Sequence, residues 1–364
     1  MTDATLGLKP LRETDGELIK HWYILALESE VPATEPIRRV LYDQAYVLFR
    51  DANGQVKALL DRCPHRGAQL SKGKVNEGKL VCPYHGWNFN GEGQLTSVPS
   101  DGPNVSTEAD RKMKCLLAPP VVIQDGCVWI WPHESSPSTN VPSWRFPYAG
   151  EKHVKSYFMI TDFDNETDHL VQNFMDVPHT VFVHSKWFRN KTMLQVPVGI
   201  NVSHGRVKVT YHQKNDSIGF TEYLLNPRKE EMVHTDEFIF PNITRVDYGF
   251  GKNFFVINSQ CSPISRYQTR VYTWIAFDVG IATLALLPFM KFYTRKVIQQ
   301  DVDIMKNQGD NLKFFEKAGS AQPAWRSTQA DELHVAIDRM RNAGRRAGHD
   351  VFEMNLQRER EFWI

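Results

Sequence analysis

The chain has 364 residues, 41% hydrophobic and 23% charged, enough apolar material for about two domains at roughly 100–200 residues each. Lysine plus arginine number 43 against 42 for aspartate plus glutamate. The formal charge of +1 gives no global field to recruit nucleic acid or an anionic membrane. Five cysteines are too few for a disulfide scaffold and point to thiols or metal ligands. The opening MTDATLGLKPLRETDGE has no apolar stretch behind basic residues, so a cytoplasmic address is expected.

From Trp22 to about Pro132 the chain reads as short strands and turns: IRRVLYDQ, AYVLFRD, a turn at Asp51-Ala52-Asn53-Gly54, QVKALLD, VVIQDG and CVWIWP. This predicts a small all-β domain over 1–140. The Pro- and Ser-rich HESSPSTNVPSW at 133–144 marks the linker. Over 141–364 the pattern changes to a helical stretch around 165–184, long strands between about 192 and 277, and helices near 291–308 and 328–343. That order describes an α+β domain on an antiparallel sheet.

The apolar stretch Val279 to Met290 contains Gly280 and Pro288 and falls short of the roughly 20 residues a membrane span needs. It reads as a buried hydrophobic segment, with surface attachment to a membrane as the other option. In the last helix Ser327 or Thr328 is the expected N-cap, with Leu333, Ile337 and Met340 turned inward. Gly91-Glu92-Gly93 lacks the later glycine and following helix of a dinucleotide fingerprint, so nicotinamide or flavin chemistry must sit on another protein.

Two loops carry metal-ligand chemistry. Cys63-Pro64-His65-Arg66-Gly67 and Cys82-Pro83-Tyr84-His85-Gly86-Trp87 each place a thiol and an imidazole one or two residues apart, with a glycine that lets the backbone approach a metal. A structural Cys₂His₂ zinc and a [2Fe–2S] cluster held by two cysteines and two histidines both fit these residue types. Zinc fingers pair cysteine with cysteine and put both histidines on a helix. Here cysteine and histidine alternate on two hairpin-like loops, which favours the cluster. Cys115, Cys127 and Cys261 have no ligand partners and read as plain small residues.

A second constellation lies in NFMDVPHTVFVH, which supplies Asn173, Asp176, His179 and His184. His179 and His184 are five apart and share no helical face, so a common metal requires the helix to be distorted or ending near Pro178. A ferrous site with open positions needs two histidines and one carboxylate. Asp162, Asp164, Glu166 and Asp168 lie upstream with nothing to aim them. On a helix over 291–308, Ile298, Asp301, Ile304, Met305 and Gln308 form one stripe, so an apolar inward face carries one carboxylate, Asp301, while Asp303 points away. The competing reading makes Asp301 a surface acid paired with Arg295 or Lys306.

Taken together, CPHRG…CPYHGW, Asn-x-x-Asp-x-x-His-x-x-x-x-His and the Gln-Asp of the later helix resemble the Rieske non-heme iron oxygenases of the monooxygenase or demethylase type, over nearly the whole length. The resemblance implies a Rieske domain followed by a helix-grip catalytic domain. It implies a [2Fe–2S] cluster on Cys63, His65, Cys82 and His85, and ferrous iron on His179, His184 and Asp301. Asn173 would be a supporting polar group, and Asp176 a carboxylate bridging a cluster histidine to an iron-ligand histidine. It also implies dioxygen, a small organic substrate, electrons from a separate NAD(P)H-dependent reductase or ferredoxin, and a head-to-tail homotrimer; the 12% aromatic content and the apolar stretch 279–290 favour a largely apolar substrate. Rival readings are a ring cis-dihydroxylating dioxygenase α subunit, a Rieske-type electron carrier without catalysis, and a zinc-bound interaction module.

Overall fold

A computed structural model describes residues 10–102, 116–184, 193–212, 225–319, 325–347 and 350–364. The chain divides into two compact units, Pro10–Arg12 with Ile19–Arg145 and Glu13–Leu18 with Phe146–Ile364.

In the first unit, alternation and turn chemistry set short antiparallel strands. β1 (Tyr23–Leu27), β2 (Ile37–Leu41), β3 (Gln44–Arg50), β4 (Val56–Leu60), β5 (Lys74–Asn76), β6 (Lys79–Val81), β7 (Asn88–Phe89), β8 (Leu95–Ser97), β9 (Val121–Gln124) and β10 (Cys127–Ile130) form sheets ordered β1-β10-β9, β2-β3-β4 and β5-β6-β7-β8. The apolar run Tyr46–Phe49 in β3 is buried on both faces. Tyr46 and Leu48 enter one core with Tyr23 and Val128, while Val47 and Phe49 enter a second with Leu59, Leu80 and Phe89. The Asp51 turn forms as expected: its carboxylate accepts the backbone N–H groups of Asn53 and Gln55 at 2.9 Å each.

The second unit is built on an eight-stranded antiparallel sheet among the described residues. β11 (Lys155–Phe163), β12 (Gln195–Ser203), β13 (Arg206–Tyr211), β14 (Met232–Ile239), β15 (Ile243–Phe250), β16 (Asn253–Ser265), β17 (Gln268–Asp278) and β18 (Leu356–Trp363) lie in the order β11-β17-β16-β15-β14-β13-β12-β18. β12 shows why one face is covered: Val196, Val198, Ile200 and Val202 are buried while the residues between them are more exposed. The sheet is dressed by α1 (Thr167–Asn173), α2 (His179–Val183), α3 (Thr283–Lys317) and α4 (Glu332–Gly344). Thr328 and Asp331 cap the turn before α4.

Sequence and structure part company on α3. The helix starts at Thr283 and takes in Pro288 and most of the apolar stretch. That stretch is not a buried segment: Leu284 is 67% exposed, and among its described side chains only Val279, Thr283 and Met290 are buried. An early proline loses one helical hydrogen bond yet does not end the helix, so Pro288 misleads as a stop signal. Ile304 also leaves the predicted inward stripe. It lies about 60° around the axis from Asp301 and is 39% exposed, whereas Asp301 and Met305 are buried. No described helix is long and apolar enough to cross a membrane.

Two clamps fix the segment between β11 and β12. The Asn165 amide donates to the Met305 carbonyl and to Gln308 Oε1, both at 2.9 Å. At this crossing, α3 carries Gly309, where any Cβ would stand 2.0 Å from the Asp164 carbonyl oxygen. Farther on, Asp168 at the start of α1 is gripped by Arg341 and Arg345 from the end of α4. Burial alone would raise the Asp168 carboxyl; the two guanidinium groups overcome that and hold it well below the usual carboxylate range.

Candidate metal centres

In the first unit the two ligand loops fold alike. Cys63 N–H donates to the Ala68 carbonyl and Cys82 N–H to the Trp87 carbonyl, each at 2.8 Å. Gly67 and Gly86 donate back to the Cys63 and Cys82 carbonyls at 2.8 and 3.1 Å, with φ of +75° and +71° that favour glycine. Asp61 holds the base of the first loop, accepting from Ser71 N–H and Oγ at 2.7 Å each and pairing with Arg38 at 3.0 Å.

Both thiols are buried, and the His65 and His85 rings lie 4.6 Å apart. His65 stacks flat on Trp87 at 4.7 Å. Its Nδ1 is buried with no hydrogen-bond partner, an orphan that a metal ligand would explain. Burial, then the adjoining Cys82 thiol, push the Cys63 thiol up to about 11, while the backbone N–H groups of His65 and Arg66 pull the other way. Such thiols ionise when a metal takes them. These residues therefore fit a cluster with two cysteine and two histidine ligands. Cys127 and Cys261 are buried in strands away from this site, and Cys115 lies outside the described residues.

In the second unit α1 ends at Asn173 and α2 begins at His179, so the helical run breaks around Pro178. The break turns His179 and His184 toward each other and toward Asp301 from α3. The two Nε2 atoms are 3.3 Å apart, and Asp301 Oδ1 is 3.4 Å from His179 Nε2 and 3.3 Å from His184 Nε2. Atoms at that spacing leave about 2 Å from each to a common point, the length of an imidazole–metal bond.

Each imidazole is held from behind. His179 Nδ1 meets the Asp176 backbone carbonyl, and His184 Nδ1 lies 3.0 Å from Gln300 Oε1. Both partners only accept, so each Nδ1 carries the hydrogen and each Nε2 turns a lone pair inward. Two lone pairs and a carboxylate oxygen converging in a buried pocket call for a cation. Asn173 Nδ2 donates to Asp301 Oδ1 at 3.1 Å. The Asp176 carboxylate is not one of the three: its Oδ1 accepts the His179 backbone N–H at 3.4 Å, and its Oδ2 lies 4.0 Å from His334.

The upstream acids are engaged elsewhere. Asp162 pairs with Arg270 at 2.7 Å, Glu166 with Arg266 at 3.2 Å, Asp164 with Lys306 at 3.8 Å, and Asp168 with its two arginines. Lys306 also takes Asp310 rather than Asp301, and exposed Asp303 accepts from Gln299 at 2.9 Å.

His179, His184 and Asp301 open on a cavity holding about 840 Å³ of empty space, mouth included. Its apolar wall includes Met159, Val246, Phe255, Ile257, Val297 and Ile298, and its polar lining includes Asp236, Thr244, Ser259 and Thr273. Gln300 and Asp236 escaped sequence reasoning. For Asp236 a signal existed: His234 and Asp236 are two apart on β14, on the buried face otherwise held by Met232 and Phe238.

Residues 21–116 match the Rieske [2Fe-2S] domain, and residues 164–354, more than half the chain, match the vanillate O-demethylase oxygenase C-terminal domain. Chlorophyllide a oxygenase of Chlamydomonas reinhardtii is 34% identical over 50% of this chain and 27% of its own length. The dicamba O-demethylase oxygenase component of Stenotrophomonas maltophilia is 36% identical over 45% of this chain and 46% of its own. The matched stretches thus span from about a quarter to a half of these relatives. Among solved structures, NdmA of Pseudomonas putida CBB5 with caffeine superposes with TM-score 0.72 at 20% identity, covering 94% of this chain and 96% of that one. Dicamba monooxygenase bound to dicamba gives 0.74 at 22% identity over 90% and 97%. Cluster loops in one unit and a two-histidine, one-carboxylate set in the other are what such proteins require, and the chain belongs to the Rieske non-heme iron oxygenases with a catalytic domain of the vanillate O-demethylase type.

Proposed function

We propose that the chain is a terminal oxygenase component that uses dioxygen, with electrons from a separate reductase or ferredoxin, to hydroxylate or oxidatively demethylate a small, largely apolar organic substrate. The observation that carries this reading is the opening of His179, His184 and Asp301 onto a mainly apolar cavity. Residues 1–140 would serve as the electron-transfer domain and 141–364 as the catalytic domain. When bound, the cluster supplies single electrons and the ferrous iron supplies the centre at which dioxygen is activated. Asp176 and Gln300 keep both Nε2 lone pairs aimed inward, Asn173 steadies Asp301, and the apolar wall excludes water and orients the substrate carbon. When an O- or N-methyl group is hydroxylated, the bond from that carbon to the heteroatom breaks, the carbon leaves as formaldehyde and the heteroatom takes the hydroxyl proton.

Iron analysis with product analysis tests the reading. About three irons per chain, with formaldehyde or an alcohol formed from a methyl-ether panel by a surrogate reductase, are expected. About two irons and no product would leave an electron carrier, and a cis-diol product would move the chain to the dihydroxylating class.

We further propose a homotrimer in which Asp176 links the iron site to the cluster of a neighbouring subunit. Its half-buried carboxylate stands beside the iron ligands without being one of them. Asp176→Asn is expected to retain both metals while slowing cluster reoxidation during turnover by orders of magnitude, checked by stopped-flow absorbance. Unchanged reoxidation would remove Asp176 from the path.

A further inference from the structure

Deep in the catalytic cavity, β13, β14 and β15 bring an aromatic clamp around one carboxylate. Tyr211, His234 and Tyr248 are cross-strand partners in a single row. The His234 ring is stacked between the two tyrosines, at 4.2 Å from Tyr211 and 4.4 Å from Tyr248. One step along β14, Asp236 reaches the cavity lining. His234 Nε2 lies 3.0 Å from its Oδ1, and Tyr211 donates to its Oδ2 at 3.0 Å. His234 and Asp236 are each 1% exposed, so the group is held rigidly and away from bulk water.

A carboxylate oxygen accepts about two hydrogen bonds, so each Asp236 oxygen keeps capacity after its one protein partner. Its cross-strand neighbours are Val209 and Val246, and the same cavity is lined by the hydroxyls of Thr244 and of the linked pair Ser259 and Thr273, 3.1 Å apart. Among the described residues lining the cavity there is no lysine or arginine to receive an anion. An acceptor buried in an apolar wall discriminates strongly, because a ligand that presents another acceptor leaves both unsatisfied.

We propose, on the oxygenase reading above, that Asp236 is the specificity-determining anchor of this cavity and selects neutral or cationic substrates that present an N–H or O–H donor, rejecting carboxylates. His234 and Tyr211 act as positioning residues that hold its oxygens toward the ligand.

Four fragments of one shape test this on the cluster- and iron-loaded protein under anaerobic calorimetry: 4-methoxybenzylamine, 4-methoxybenzyl alcohol, 4-methoxytoluene and 4-methoxybenzoate. The amine and the alcohol are expected to bind with Kd at least about tenfold lower than the toluene and the benzoate. Asp236→Asn keeps the shape but adds donors, so the amine should lose about tenfold and the benzoate should gain. The cluster spectrum and melting temperature report whether the variant is folded. If it is not, the wild-type series decides alone. Benzoate binding as tightly as the amine, an unchanged order in folded Asp236→Asn, or no binding by either donor fragment would overturn the proposal. Failure of the oxygenase reading would look different: a chain without mononuclear iron, whatever the fragment order.

Discussion

Asp301→Ala is expected to drop iron from about three to about two atoms per chain and to lower oxygenation by more than about a hundredfold, with the cluster spectrum unchanged. Asp301 is 5% exposed, and its Oδ1 is the point on which His179, His184 and Asn173 converge. Without it two imidazoles remain, a set too small to hold ferrous iron firmly. The Asn173 amide also loses its acceptor, at a cost of about 1–3 kcal/mol in stability. Asp303→Ala is the matched control. Its exposed carboxylate touches only Gln299, so iron and turnover should stay at wild-type levels and stability should move by less than about 0.5 kcal/mol. Loss of iron in Asp303→Ala with retention in Asp301→Ala would overturn the ligand assignment.

The second large effect is loss of colour. Cys82→Ala or His65→Ala should abolish the red-brown absorbance of protein reconstituted anaerobically with iron and sulfide, because each removes one of four ligands and the orphaned His65 Nδ1 has no alternative partner. The catalytic unit should still melt cooperatively, since the clusters around Tyr46 and Phe49 share no residue with those around Ile337 and Phe255. Cys127→Ala, buried in β10 away from the ligand loops, should keep the colour. A colourless wild type that binds zinc after the same treatment would return the loops to a structural Cys₂His₂ role.

How much of this was legible depends on how local each signal is. The cluster ligands sit in two tight loops a short distance apart, so spacing alone brings them into view. The break at Pro178 was legible because five-residue spacing cannot share a helical face, and Asp301 because one acid interrupts an apolar stripe. Other features arise only in three dimensions. The start of α3 at Thr283 is hidden by Gly280 and Pro288, and the exposure of Ile304 follows from a 60° offset that residue type cannot reveal. Gln300 reads as a surface amide until His184 arrives from the other segment. Asp236 becomes a cavity residue only once Tyr211 and Tyr248 flank its neighbour from adjacent strands.

Within the second unit a ribosome delivers β11 first, yet among the described strands β11 pairs only with β17, and β12 must wait for β18 to cover its outer side. The segment carrying His179 and His184 therefore emerges long before Asp301 is synthesised. Closing such distant ends is slow, and a nascent chain stalled between them shows the unpaired edge of β12 to its neighbours. Three protein groups can converge on a metal only after α3 has been made and has brought Asp301 to the two histidines. Lower temperature and a chaperone during expression should consequently raise the yield of iron-competent protein more than extra iron in the medium does.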